Sequence, residues 1–275
     1  MTRPNIDFEA HGVVSRRKFL SGLAVGSLAG AASLAATVPL FALSSIDLPT
    51  PLQQTKGEWA LTFREDFSDR GQFDKAWERV RIGGDGHKTM RFPKNVVLAN
   101  GAVNLRLGHQ SDPERPFTGG YIRTRDFRQT YGYFECEMRI AREAGVNNAF
   151  WLVSDRKTEG DTHFELDVAE VKYPNIVQVT ARRWRPQKDV LAASYRAHVR
   201  LDDAFHRYAM LWTGNRFRFY VDDLEVFAAP NEFAHTPALV LLSNAVAPFA
   251  GKNDGDVAGA ATAIRSVRVF RDFQQ

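Results

Sequence analysis

From about Trp59 to Gln275 the chain alternates apolar and polar residues in short runs cut by turn residues. That period of two dictates strands that bury one face each. Val96-Val97-Leu98-Ala99 and Val103-Asn104-Leu105-Arg106-Leu107 flank Asn100-Gly101, a pair suited to the positive φ angles of a tight hairpin turn. Tyr208–Trp212, Phe217–Val221 and Leu224–Phe227, separated by Thr213-Gly214-Asn215 and Asp222-Asp223, predict a three-strand meander with Trp212 in the core. Phe150–Val153, Ile176–Ala181, Leu239–Leu242 and Val267–Phe270 add further strands, and Asp74–Val80 is the best helix candidate. So many half-buried strands in one domain need a partner sheet, which favours an all-β, two-sheet antiparallel sandwich or jelly roll over a barrel.

The first fifty residues have another character. Ser15-Arg16-Arg17-Lys18-Phe19-Leu20 precedes an Ala/Gly-rich apolar stretch running to Leu43, with small residues from Ala42 to Ser45. Paired cations ahead of a weakly hydrophobic segment read as a twin-arginine export signal over 1–45. A Pro-, Thr- and Gln-rich tether over 46–57 and a single catalytic-sized domain over 58–275 follow. The alternative, an uncleaved membrane anchor, is disfavoured by the many Gly, Ala and Ser residues and by Pro39. A periplasmic or extracellular protein, without stable membrane insertion after cleavage, is therefore expected. The lone Cys136 alternates with charged residues in Tyr131–Ile140 and reads as a buried, inert thiol. The charge of +4 comes from 36 basic residues scattered among 32 acidic ones, so no nucleic-acid partner is expected. A monomer is the expected state.

One segment carries chemistry. In His163-Phe-Glu165-Leu-Asp167-Val-Ala-Glu170-Val-Lys172, Phe164, Leu166 and Val168 face one way and Glu165 and Asp167 the other. Strict alternation would turn Glu170 into the core, but Val171 breaks register with it. One inserted residue near Val168 or Ala169, a β-bulge, restores both to their proper faces. Three carboxylates then line one row, where like charges push pKa values apart and keep one carboxyl protonated. Retaining glycoside hydrolysis uses that division, with carboxyls roughly 5–5.5 Å apart. On these residues alone an ordinary solvated acidic face stays open. A helical stripe is disfavoured by Val168 and Val171, and a calcium site by the lack of a Gly-containing loop. His163, His198 and His206 show no metal-ligand spacing, so neither metal nor cofactor is expected.

At this strand the sequence resembles glycoside hydrolase family 16, the laminarinase, lichenase, agarase and carrageenase group, whose bulged strand reads Glu-x-Asp-x-x-Glu. Phe63-Arg-Glu-Asp-Phe67, Gly119–Arg125, Tyr131–Glu135, Ala149-Phe-Trp151-Leu, Phe205–Thr213, Phe219–Asp222 and Ser266–Phe270 resemble further blocks of the family in order. The resemblance implies a concanavalin A-like jelly roll with Glu165 as nucleophile, Glu170 as acid/base and Asp167 as assistant. Two features depart from it: the glycine and methionine of the laminarinase-like strand are absent, and Arg265 or Ser266 stands where many relatives place a calcium-binding Asp. For substrate contacts, Trp151 and Trp184 offer indole platforms. Arg183, between Arg182 and Arg185, offers a guanidinium for an anionic glycan, and Asn148 and Asn244 offer amides to sugar hydroxyls. The expected activity is retaining endo-hydrolysis of a polysaccharide, β-1,3- or mixed-linkage glucan ahead of an anionic galactan. A transglycosylase on the same carboxylates and a non-catalytic lectin-like module are the alternatives.

Overall fold

The computed structural model describes residues 47–84 and 86–274; the segment read as an export signal lies outside the described residues. Two antiparallel sheets face each other. One runs, in hydrogen-bonded order, Asp189–Arg196, Ile176–Arg185, His163–Lys172, Val146–Ser154, Ala238–Val246, Tyr121–Thr124 and Trp77–Arg79. The other runs Leu224–Pro230, Arg216–Val221, His206–Trp212, Gly132–Arg139, Ala261–Asp272, Ala102–Arg106 and Val96–Ala99, with Trp59–Glu65 beside Ala261–Asp272. Neighbours such as Val146–Ser154 and Ala238–Val246 are distant in sequence, as the crossovers of a jelly roll require.

Burial follows the alternation. Phe164, Leu166, Val171, Phe150 and Leu242 from the first sheet meet Phe134, Met210, Trp212 and Phe219 from the second in one core. Phe164 packs edge-on against Trp212 at 5.7 Å, and the indole N–H of Trp212 donates to the Ala234 carbonyl at 3.0 Å, so the buried ring leaves no polar atom unpaired. Cys136 is fully buried in this core, and burial pushes its thiol well above the usual range, as an inert structural cysteine requires.

The turns follow their residues. Asn100 and Gly101 take φ of 56° and 65° between Val96–Ala99 and Ala102–Arg106, the mirror-image turn that matches strand twist. Asp222 and Asp223 take the same left-handed conformation, held by Asp222 accepting from the Arg207 backbone at 2.8 Å and Asp223 pairing with Arg207 at 2.7 Å.

Two expectations need correction. The helix spans Arg70–Ala76 and not Asp74–Val80, because Asp69 caps it by accepting from the Gln72 backbone at 2.8 Å. Beyond it Trp77–Arg79 turns to strand and pairs with Tyr121–Thr124, burying the Trp77 ring completely. The tether, described from residue 47, is not a loose linker either. Thr50–Gln53 forms a helical turn whose Leu52 is buried on the outer face of the second sheet with Trp59, Tyr133, Leu211 and Phe270. Burying that one leucine is worth roughly 1.5–3 kcal/mol, which places the edge of the folded unit before residue 58. No helix among the described residues is long and apolar enough to cross a membrane.

Candidate active site

The first sheet turns one face to the core and the other to solvent, and the carboxylates stand on the open face. On one side of His163–Lys172, Asp167 pairs with Trp151 and Ala169 with Phe150, so Val168 has no partner. On the other side, Asp167 pairs with Thr180 and Glu170 with Gln178, so two residues oppose one. This is the β-bulge expected from the sequence, and Val168 and Ala169 are both buried within it. The bulge absorbs one residue, and at about 3.3 Å per residue leaves the Glu165 and Glu170 backbones roughly 13 Å apart. Two extended glutamates leaning over Asp167 can span that gap.

Their charges do not sit comfortably together. Burial raises the Glu165 carboxyl above its usual range; Arg182 pulls it down, Glu170 pushes it up, and a hydrogen bond from Trp184 pulls it down again. Asp167, 6% exposed, is driven far up by burial and then by Glu165 and Glu170. Burial also raises Glu170, while Lys172, a hydrogen bond from Asn147 and Arg182 act against the rise. Each carboxyl is thus pushed toward its protonated form, Asp167 furthest, which is the asymmetry a proton donor beside a nucleophile needs.

That arrangement costs stability, with a definite sign. A carboxyl raised in the folded state stabilises it below the unfolded pKa and loses that contribution as pH rises through the folded pKa. Asp167→Asn, the same shape without the charge, is therefore expected to raise Tm at pH about 7 by roughly 2–4 °C, the response to about 1 kcal/mol in a domain of this size. Near pH 3.5, below about the unfolded aspartate value, the gain should vanish. Calorimetry of both proteins at the two pH values checks this, and an equal or lower Tm for the variant at neutral pH would contradict it.

Around the row, Trp151 stacks on Tyr121 at 5.8 Å with an interplanar angle of 10° and donates its indole N–H to Ser243 at 3.2 Å. Trp184 stands on the same face beside Glu165, with Arg182 over its ring. Asn147 donates to Glu170 Oε1 at 2.7 Å, and Lys172 donates to Gln178 at 2.7 Å. At the Glu165 end, Glu159 accepts from Ser154, His163 and Arg185, which ties His163 into an ion-pair network. Among the described residues, no group of three or more His, Cys, Asp or Glu is placed to hold a metal ion.

Three residues read as substrate contacts lie elsewhere. Asn148 is fully buried between the sheets, accepting from the Ala141 backbone and the Thr262 hydroxyl and donating to the Val171 carbonyl. Asn244 is likewise internal, donating to the Leu105 carbonyl and accepting from the Gly120 backbone. Arg183 pairs with Phe164 in the register and so sits on the opposite face from Glu165; it donates to the Gln187 carbonyl and stands over Phe233. The alternation that puts Trp151 and Trp184 on the open face also puts Asn147 and Arg182 there. Parity within each strand was the signal that separates these neighbours.

Three raised carboxyls, set beside indole platforms on the open face of a jelly roll, place the chain among carbohydrate-active sandwich proteins. More narrowly, it belongs to glycosyl hydrolases family 16, whose profile matches residues 75–253. It is 27% identical over 191 residues to a beta-glucanase of Rhodothermus marinus, covering 63% of this chain and 66% of that protein. It is 32% identical over 160 residues to the endo-1,3-1,4-beta-glycanase EglC of Rhizobium meliloti, covering 56% of this chain and 33% of that protein. The match thus spans under two thirds of the first relative and a third of the second. In fold it is similar to the laminarinase of Rhodothermus marinus, with a TM-score of 0.68 at 24% identity over 78% of this chain and 98% of that one. The laminarinase catalytic domain of Thermotoga petrophila gives 0.70 at 18%, over 79% and 100%.

Proposed function

We propose that the chain is a retaining endo-β-glucanase acting on β-1,3- or mixed β-1,3/1,4-linked glucan. The observation that carries this reading is the bulge that brings Glu165, Asp167 and Glu170 onto one open face, with all three carboxyls raised. The names of the beta-glucanase and endo-1,3-1,4-beta-glycanase relatives support the polymer class.

In this reading Glu165, held toward its ionised form by Arg182 and Trp184, attacks the anomeric carbon from below the sugar ring. Glu170, raised by burial, gives its proton to the departing glycosidic oxygen. The glycosyl–enzyme ester is then hydrolysed by water that Glu170 deprotonates, and two inversions restore the β configuration. Asp167, the most deeply buried of the three, is pushed furthest toward its protonated form, in which its hydroxyl is a hydrogen-bond donor for the carboxylate it adjoins. Trp151 and Trp184 give the pyranose faces flat apolar platforms. Export through the twin-arginine pathway to the periplasm or medium, where such polymers occur, completes the proposal.

The test is incubation of the purified protein with laminarin, lichenan, agarose, carrageenan and xyloglucan, followed by sizing of the products. Laminarin or lichenan should fall early to a spread of oligosaccharides, and proton NMR should show the new reducing ends first as the β anomer. Tight binding without new reducing ends would overturn the enzyme assignment in favour of a lectin-like module. First appearance of the α anomer would overturn the double displacement.

A further inference from the structure

Arg182 lies directly across from Glu165 in the strand register, its guanidinium 4.7 Å from the centre of the Trp184 ring. Its Nε is buried without a hydrogen-bond partner. Among the described residues Arg182 enters no ion pair, whereas both arginines near it are committed: Arg183 to Asp189 and the Gln187 carbonyl, Arg185 to Glu159. Lys188 places its ammonium 5.9 Å from the same indole and also enters no ion pair among the described residues.

Arg182 acts on all three carboxyls of the row and so has a part in the neutral reaction. Keeping Glu165 ionised accounts for Arg182, but not for Lys188, whose ammonium stands by the same indole with no ion pair among the described residues. Both are accounted for if an anion of the substrate lies over them. A guanidinium presents its donors in a planar fork that matches carboxylate and sulfate oxygens, and the indole beneath it holds that plane in place.

We propose that Arg182, Trp184 and Lys188 form a subsite for an acidic substituent, carboxylate or sulfate, on the sugar bound at the Glu165 side of the cleft. The preferred polymer is then an acidic β-glucan. This rests on the endo-β-glucanase reading and narrows its substrate class.

The experiment compares kcat/KM of the wild type, Arg182→Gln, Arg182→Lys and Lys188→Gln on laminarin, on partly carboxymethylated laminarin and on partly sulfated laminarin. The wild type should favour an acidic polymer by roughly tenfold or more, the worth of one charge-assisted pair, and lose the preference as salt rises. Arg182→Gln should fall on every polymer, because Arg182 also supports Glu165, but should fall further on the acidic ones through KM, and Arg182→Lys should keep part of the preference. Lys188→Gln, which leaves the Arg182–Glu165 interaction intact, should lose preference on the acidic polymer with little change on laminarin. The acid that gains more identifies the group. Absence of any preference in the wild type, or an equal fall on all three polymers in Arg182→Gln, would overturn the subsite and leave an arginine that only supports Glu165. Should the wild type cleave none of them, the glucanase reading fails separately. Calorimetric binding of carboxymethylated against neutral oligosaccharides to wild type and Arg182→Gln then decides the subsite.

Discussion

Glu165→Gly is expected to lower kcat on laminarin by on the order of 10⁴-fold or more while KM changes little, because a group that acts as nucleophile is needed only to cross the barrier. The loss comes from chemistry and not from folding. Glu165 stands on the open face, packs into no apolar cluster, and its removal relieves repulsion from Glu170 and Asp167. Thermal melts of the variant should therefore lie close to those of the wild type, within the roughly 0.5–1 kcal/mol that a glycine costs in a strand. The vacated space also permits a sharper check. Azide, a small anion, can enter where the carboxylate stood and attack an aryl β-glucan oligosaccharide from the same side. One displacement now replaces two, so the product should be the α-glycosyl azide, formed at a rate that rises with azide concentration. A variant that keeps more than about a tenth of wild-type kcat would remove Glu165 from the nucleophile's role. A β-azide product would do the same.

The position of Glu165 was legible in the sequence because its alternation with Phe164 and Leu166 has a single solution. The bulge was legible for the same reason, since Glu170 and Val171 break register together and one extra residue repairs both. Hairpin turns at Asn100-Gly101 and Asp222-Asp223 carried their own signature in residues that tolerate positive φ. What could not be read was anything decided by packing across the sandwich. Asn148 looked like a polar residue next to the cleft. It is an internal tie, whose amide joins the 141 and 171 backbones and the Thr262 hydroxyl, and only the other sheet supplies that last partner. Asn244 deceived in the same way, through Leu105 and Gly120. Arg183 is a different kind of miss, because counting by twos from Trp184 excludes it and admits Arg182. Leu52 resembled part of a tether since nothing local shows that an apolar sheet face waits for it.

Glu170→Ala should separate the two halves of the reaction that Glu165→Gly destroys together. On laminarin, whose leaving group is a poorly acidic sugar alcohol, loss of the proton donor should lower kcat by about 10²–10⁴-fold. On a dinitrophenyl β-glucoside oligomer the leaving group departs unaided, so the glycosyl–enzyme should form at near the wild-type rate and then accumulate. A burst of dinitrophenol followed by slow turnover is the expected trace. The pH profile supplies the second half of the argument. Wild-type kcat/KM should be bell-shaped, rising as Glu165 ionises and falling as Glu170 loses its proton. Both limbs should lie above the ordinary carboxylate range of about 4, because burial raises both groups, and the two apparent values belong to the coupled pair. In Glu170→Ala, assayed on the activated substrate, the falling limb should disappear while the rising limb remains, since Glu170 is already protonated where Glu165 ionises. Asn147 gives the proton its address: by donating to Glu170 Oε1 it leaves Oε2 to carry the hydrogen toward the glycosidic oxygen. If the falling limb survived in Glu170→Ala, the proton donor would be another group, and Asp167, whose carboxyl is driven furthest up by burial and by both glutamates, would be the one to replace next.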